Sequence, residues 1–159
     1  MTLIVHCLWQ RPYAIRPTSI SVRARTPAAR VTDMVTRSRS IPAPSVIDQK
    51  WPHQVALPDD LCTRRNRTTI HDYCQERGMT FQIRHVQAVW PNGKYEEYRL
   101  HCFADPAEAK AFLDHFQGEP FDAKRDREKG KIRGVWRRSD EYRRILDLGP
   151  LSVPELLRN

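Results

Sequence analysis

The sequence predicts an α+β fold: a small single domain with an antiparallel, hairpin-based sheet, helices packed on one face, and a disordered N-terminal tail ahead of it. Three observations carry this expectation. Residues 46–159 hold all six glycines and twelve of the fourteen aromatic side chains. Two β-branched and aromatic arms flank Pro91-Asn92-Gly93, a strong hairpin turn signal. Helical segments with their own caps lie on either side of that hairpin.

Residues 1–45 read as a disordered basic tail. They hold seven Arg against Asp33 alone, five of the twelve prolines, and only Trp9 and Tyr13 among the aromatics. Such a stretch buries too little apolar surface to offset its ordering entropy. Positions 1–32 contain five Arg and no acid, the composition of an organellar transit peptide, but Pro12, Pro17 and Pro27 would break its helix. Translation from Met34 is the simpler alternative, with the first 33 residues a start-site artefact. TLIVHCLW is too short and interrupted for a signal peptide.

The domain, residues 46–159, opens with WPHQVALPDDLC, a short extended piece between Pro52 and Pro58 and a turn at Asp59-Asp60. Ile70, Tyr73, Cys74 and Arg77 then recur at helical spacing, with Thr68 or Asn66 as cap and Gly78 as stop. The hairpin arms follow, and alternation on the first shifts phase near His85-Val86, which signals a bulge or burial on both faces. DPAEAKAFLDHFQG is a helix: Asp105 caps, Pro106 takes the first position, and Ala109, Phe112, Leu113 and Phe116 form its apolar stripe. KIRGVWR, residues 131–137, reads as a strand that turns Ile132 and Trp136 inward and Lys131, Arg133 and Arg137 outward. SDEYRRILDLGP reads as a last helix capped by Ser139, with Tyr142, Ile145 and Leu146 facing inward. Leu148, Leu151, Val153, Leu156 and Leu157 must then dock on the body or meet another protein, docking being the expectation.

Charge is unevenly spread. The chain carries a net charge of +8, yet residues 48–123 hold nine basic and twelve acidic residues. Residues 124–144 hold ten basic and four acidic ones. Lys131, Arg133, Trp136, Arg137 and Arg138 are therefore the candidate contact surface for a protein partner or a polyanion, nucleic acid included. No RRM, KH, zinc-finger or basic-zipper pattern accompanies them.

His71 and Cys74 stand three apart on the predicted helix; one of His101 and Cys102 could join them, and Cys62 could supply a further ligand to a metal site. The tight ligand pairs zinc prefers are missing, so no metal and no cofactor is expected. Cys102 or Cys74 beside His71, His85 or His101 would be the nucleophilic alternative, but no elbow or phosphate loop fixes such a geometry. Glu96 and Glu97 point to opposite faces and cannot act as a pair. The four Cys show no CxxC spacing, which fits reduced thiols in a cytoplasmic protein. No apolar run approaches a membrane span.

LHCFADPAEAKAFLDHFQGEPFD resembles a pattern of small bacterial proteins, in which a strand ending Phe-Ala-Asp/Glu-Pro feeds a helix with two phenylalanines and closes on Gly-Glu. The matching positions are Phe103, Ala104, Asp105, Pro106, Ala109, Phe112, Phe116, Gly118 and Glu119. The resemblance implies a bacterial, cytoplasmic origin and brings no known activity with it. The expectation for function is a non-enzymatic macromolecular interaction module, with nucleic-acid binding as the alternative and an enzyme or zinc protein third.

Overall fold

The turn at Pro91-Asn92-Gly93 organises the sheet in the computed structural model, which describes residues 41–158. The tail expectation lies outside those residues up to position 40. Gly93 N–H bonds Trp90 C=O at 3.0 Å, Trp90 N–H bonds Lys94 C=O at 2.9 Å, and Gly93 takes φ +81, a conformation a side chain disfavours. The arms become β2 (Phe81–Val89) and β3 (Tyr95–Phe103), following β1 (His53–Pro58) and preceding β4 (Glu119–Phe121) and β5 (Trp136–Arg137). The sheet order is β4-β1-β3-β2-β5. All neighbours are antiparallel except β2 and β5, which run parallel. The β2–β3 register runs unbroken from Phe81↔Phe103 to Val89↔Tyr95, so the phase shift is burial on both faces and not a bulge.

One face of the sheet carries Val55, Leu57 and Phe103, covered by α2 (Arg64–Glu76) and α3 (Pro106–Phe116). Asp105 caps α3 by accepting from Ala107 N–H at 2.8 Å, and Ala109, Phe112 and Phe116 are its buried stripe. Gly118 does not supply the left-handed turn that ends α3. The left-handed residue is Gln117. A Cβ on Gly118 would lie 2.8 Å from Ala56 O, so its absence lets β4 close on β1.

Helix α2 begins at Arg64, not near Thr68. Its first turn is exposed arginine, which leaves no apolar period to read. Asn66, expected as a cap, instead donates to Ser152 C=O at 2.8 Å. Gly78 does end the helix: its N–H bonds Gln75 C=O at 3.1 Å, and Met79 N–H bonds Cys74 C=O at 2.9 Å.

The opposite face carries Ala56, Val86, Ala88, Tyr98, Leu100 and Cys102. A helix the sequence reading did not anticipate, α1 (Pro44–Lys50), covers it through Ile47, together with Trp90, Phe121 and Trp136.

Two expected elements are corrected. The strand over 131–137 shrinks to Trp136–Arg137, because Gly134 N–H turns back to Lys131 C=O at 2.8 Å. The helix from Ser139 is absent, and residues 138–146 hold no regular structure. The reason is topological. Tyr142 packs with the Trp90 cluster, whereas Ile145, Leu146 and Leu148 pack with the Phe112 cluster on the other face. A helix presents one stripe, and a chain crossing from one face to the other must be drawn out. It continues as a small hairpin, β6 (Asp147–Leu148) and β7 (Leu151–Ser152), and a final turn at Glu155–Leu157. Leu151 and Val153 dock in the core, while Leu156 and Leu157 stay exposed. Among the described residues no helix is long and apolar enough to cross a membrane.

Candidate functional site at the open sheet edge

The five candidate contact residues are divided by the fold. Trp136 is 7 % exposed and meets Tyr98 and Phe121 edge-on, with centroids 5.4 and 5.2 Å away. Arg138 lies over the Trp136 ring at 4.4 Å, bonds both carboxylate oxygens of Asp140 at 2.8 Å, and also pairs with Glu119. Arg137 is exposed but pairs with Glu128 at 3.1 Å. Lys131 and Arg133 stand exposed in the turn, with no ion-pair partner among the described residues. Elsewhere in the basic segment, Arg125, Arg127 and Arg144 are tied to Asp126, Asp48 and Asp60. Half of the segment's ten cations are therefore paired within the fold.

The histidines and cysteines are dispersed by the fold. His71 is exposed on α2, Cys74 is buried beneath it, and His101 is 1 % exposed between Phe81 and Phe112. Among the described residues, no group of three or more His, Cys, Asp and Glu is placed to hold a metal ion, and His71, Cys74 and His101 are not brought together. Burial pushes the Cys62 and Cys102 thiols up to about 12 and Cys74 up to about 11, which keeps them protonated and unreactive. Burial also pushes His101 down to about 3, so it stays neutral.

The exposed chemistry lies elsewhere, on β2. The Trp90–Lys94 bond fixes the even residues of β2 as those bonded to β3, since bonded and unbonded pairs alternate in an antiparallel ladder. The odd residues point their N–H and C=O away. Arg138 N–H on Val89 C=O at 2.9 Å confirms this at the far end, where β5 pairs with Ala88 and Val89. Toward the other end no strand follows. Among the described residues, nothing bonds the outward N–H and C=O of Phe81, Ile83 and His85.

A groove of about 440 Å³ runs beside this edge. Ile41, Pro42 and Pro44 form one wall, and Ile132, Arg133 and Val135 form the other. Ile41, Ile83 and Ile132 are exposed, and no Asp or Glu lines the groove. Arg84 joins the two walls: it donates to Ile132 C=O at 2.7 Å and to Pro44 C=O at 3.4 Å. It also pairs with Asp48 of α1. Asp48 accepts in addition from Arg127 at 2.7 Å and Gln54 at 2.9 Å. Burial pushes the Asp48 carboxyl up, but the hydrogen bonds from Arg84, Arg127 and Gln54 outweigh it and hold the group below its ordinary value. Two buried guanidinium groups thus share one carboxylate beside the groove.

Sequence reasoning missed Ile41, Ile83 and Arg84 as site residues, and weighed His85 only as a partner for a nucleophilic Cys. The available signal was Ile83, an apolar side chain just ahead of the phase change near His85-Val86. It also missed Arg64-Arg65-Asn66-Arg67, an exposed run at the head of α2 that was hidden in the acidic total of residues 48–123. No family model matches the chain, and no curated protein or solved structure shows significant similarity to it.

Proposed function

We propose that this chain is a non-enzymatic interaction module that holds a segment of a protein partner at the open edge of β2. The observation that carries this reading is the coincidence of backbone groups on Phe81, Ile83 and His85, unpaired among the described residues, with the apolar-walled groove beside them. Lys131 and Arg133 supply the contact charge, while Trp136 and Arg138 anchor the turn that presents them. Arg137 sits at the rim, tempered by Glu128. Unprotected edge backbone is a template for pairing with another chain. Panning a displayed library of random decapeptides on the full chain tests this. Peptides should be retained and then lost on a Lys131→Glu/Arg133→Glu variant. No enrichment, or enrichment indifferent to that variant, contradicts it.

A polyanion is the second reading, and the α2 head favours it. Arg64, Arg65 and Arg67 are exposed, without ion-pair partners among the described residues, where the helix dipole already attracts anions. Under this reading the chain binds heparin and single-stranded oligonucleotides, with a salt slope of about 0.9 for each phosphate neutralised. An Arg64→Ala/Arg65→Ala/Arg67→Ala variant would lose that retention.

A further inference from the structure

We propose that the occupant of the edge is an extended acidic protein segment that adds to β2 as a further strand. Its backbone would bond the outward groups of Ile83 and His85, and an acidic side chain would meet Arg133. This rests on the interaction-module reading and specifies the partner.

The edge has the hydrogen-bonding pattern a strand requires. Outward N–H and C=O groups recur on Phe81, Ile83 and His85, every second residue, as the pleat dictates. From Phe81 to His85 the edge runs about 13 Å, the reach of roughly four extended residues. Natural edges are guarded by an outward charge, a proline or a bulge. This one has no proline, and its register shows no bulge. Its central charge, Arg84, is 7 % exposed and turned inward onto Asp48. The strand that would have covered the edge, β5, stops after two residues because 131–134 curls away.

The charge of the site selects among extended segments. Arg133 lines the groove and Lys131 stands in the same turn, neither having an anion among the described residues. The groove itself supplies no acid. Ile83 and Ile132 are exposed beside them, so apolar side chains on the incoming strand gain burial. Strand addition takes its affinity from main-chain bonds and its selectivity from the side chains on alternate positions. The match here is a sequence alternating β-branched residues with Glu or Asp.

The peptide most enriched in the panning experiment is the probe. It should carry Glu or Asp, and Gln replacements should weaken it. N-methylation of alternate backbone amides should weaken it by at least about tenfold in one phase of alternation and leave it unchanged in the other, because only one set of amides faces β2. Amide shifts should centre on Phe81, Ile83 and His85. Tolerance of methylation in both phases overturns strand addition while the interaction-module reading stands. Failure of any peptide to bind overturns that reading itself. Concentration-dependent dimerisation with protection of the same amides would make a second copy the occupant, and equal shifts with an oligonucleotide would make it a polyanion. Either result overturns the proposal.

Discussion

Arg127 reaches across 79 residues of chain to bond Asp48 at 2.7 Å, with its side chain only 2 % exposed. The same carboxylate holds Arg84, so one acid pairs with two buried cations and ties α1 to β2. Removing the acid strands both guanidinium groups. Asp48→Asn should cost about 3–5 kcal/mol in chemical denaturation. Arg84→Met leaves Arg127 and Asp48 as a simple pair and should cost clearly less. Equal losses would mean the two cations do not depend on the shared acid.

Acid should weaken the fold in two stages. His101 ordinarily titrates near 6.5, but burial pushes it to about 3 in the fold. A folded value below the unfolded one means stability is complete above pH 6.5 and falls on acidification. The slope is about 1.4 kcal/mol per pH unit for one proton. Asp140, held down to about 2 by its bonds from Arg138, and Asp48, also held below its ordinary 3.8, add a second decline below about pH 4. Denaturant midpoints measured from pH 7 to pH 2 test this, and His101→Leu should remove the first stage only.

The basic segment should separate into structural and contact residues. Trp136→Ala empties an aromatic cluster and should cost about 3–5 kcal/mol. Lys131→Ala/Arg133→Ala should change stability by no more than about 0.5 kcal/mol, since neither side chain is held. Thermal unfolding of the two variants distinguishes these outcomes.

Gly118→Ala should lower stability by about 1–3 kcal/mol, because the added methyl meets backbone and packed side chains of β1. Gly78→Ala meets nothing within 4 Å, so its cost is only that of the left-handed backbone.

What the sequence revealed was what local chemistry decides. Asp105, Pro106 and the Phe112/Phe116 stripe specify α3 within a dozen residues, and Pro91-Asn92-Gly93 specifies the hairpin. What it concealed depends on partners far along the chain. Arg138 read as a contact cation because Glu119, an acid that claims it, lies in another element, and nothing near Arg127 in the sequence announces Asp48. The helix expected from Ser139 failed because its apolar residues serve two faces of the sheet. The open edge was illegible for the same reason: whether Ile83 and His85 have a neighbouring strand is settled by the turn at Lys131–Gly134, about 50 residues downstream.

The central claim, that β2 is open from Phe81 to His85, is tested most directly by residue-resolved amide hydrogen exchange on the native chain. The account predicts alternation within one strand: Gln82, Arg84 and Val86 protected, Phe81, Ile83 and His85 exchanging fast. Uniform slow exchange from Phe81 to Val86 would contradict it, since the edge would then already be covered.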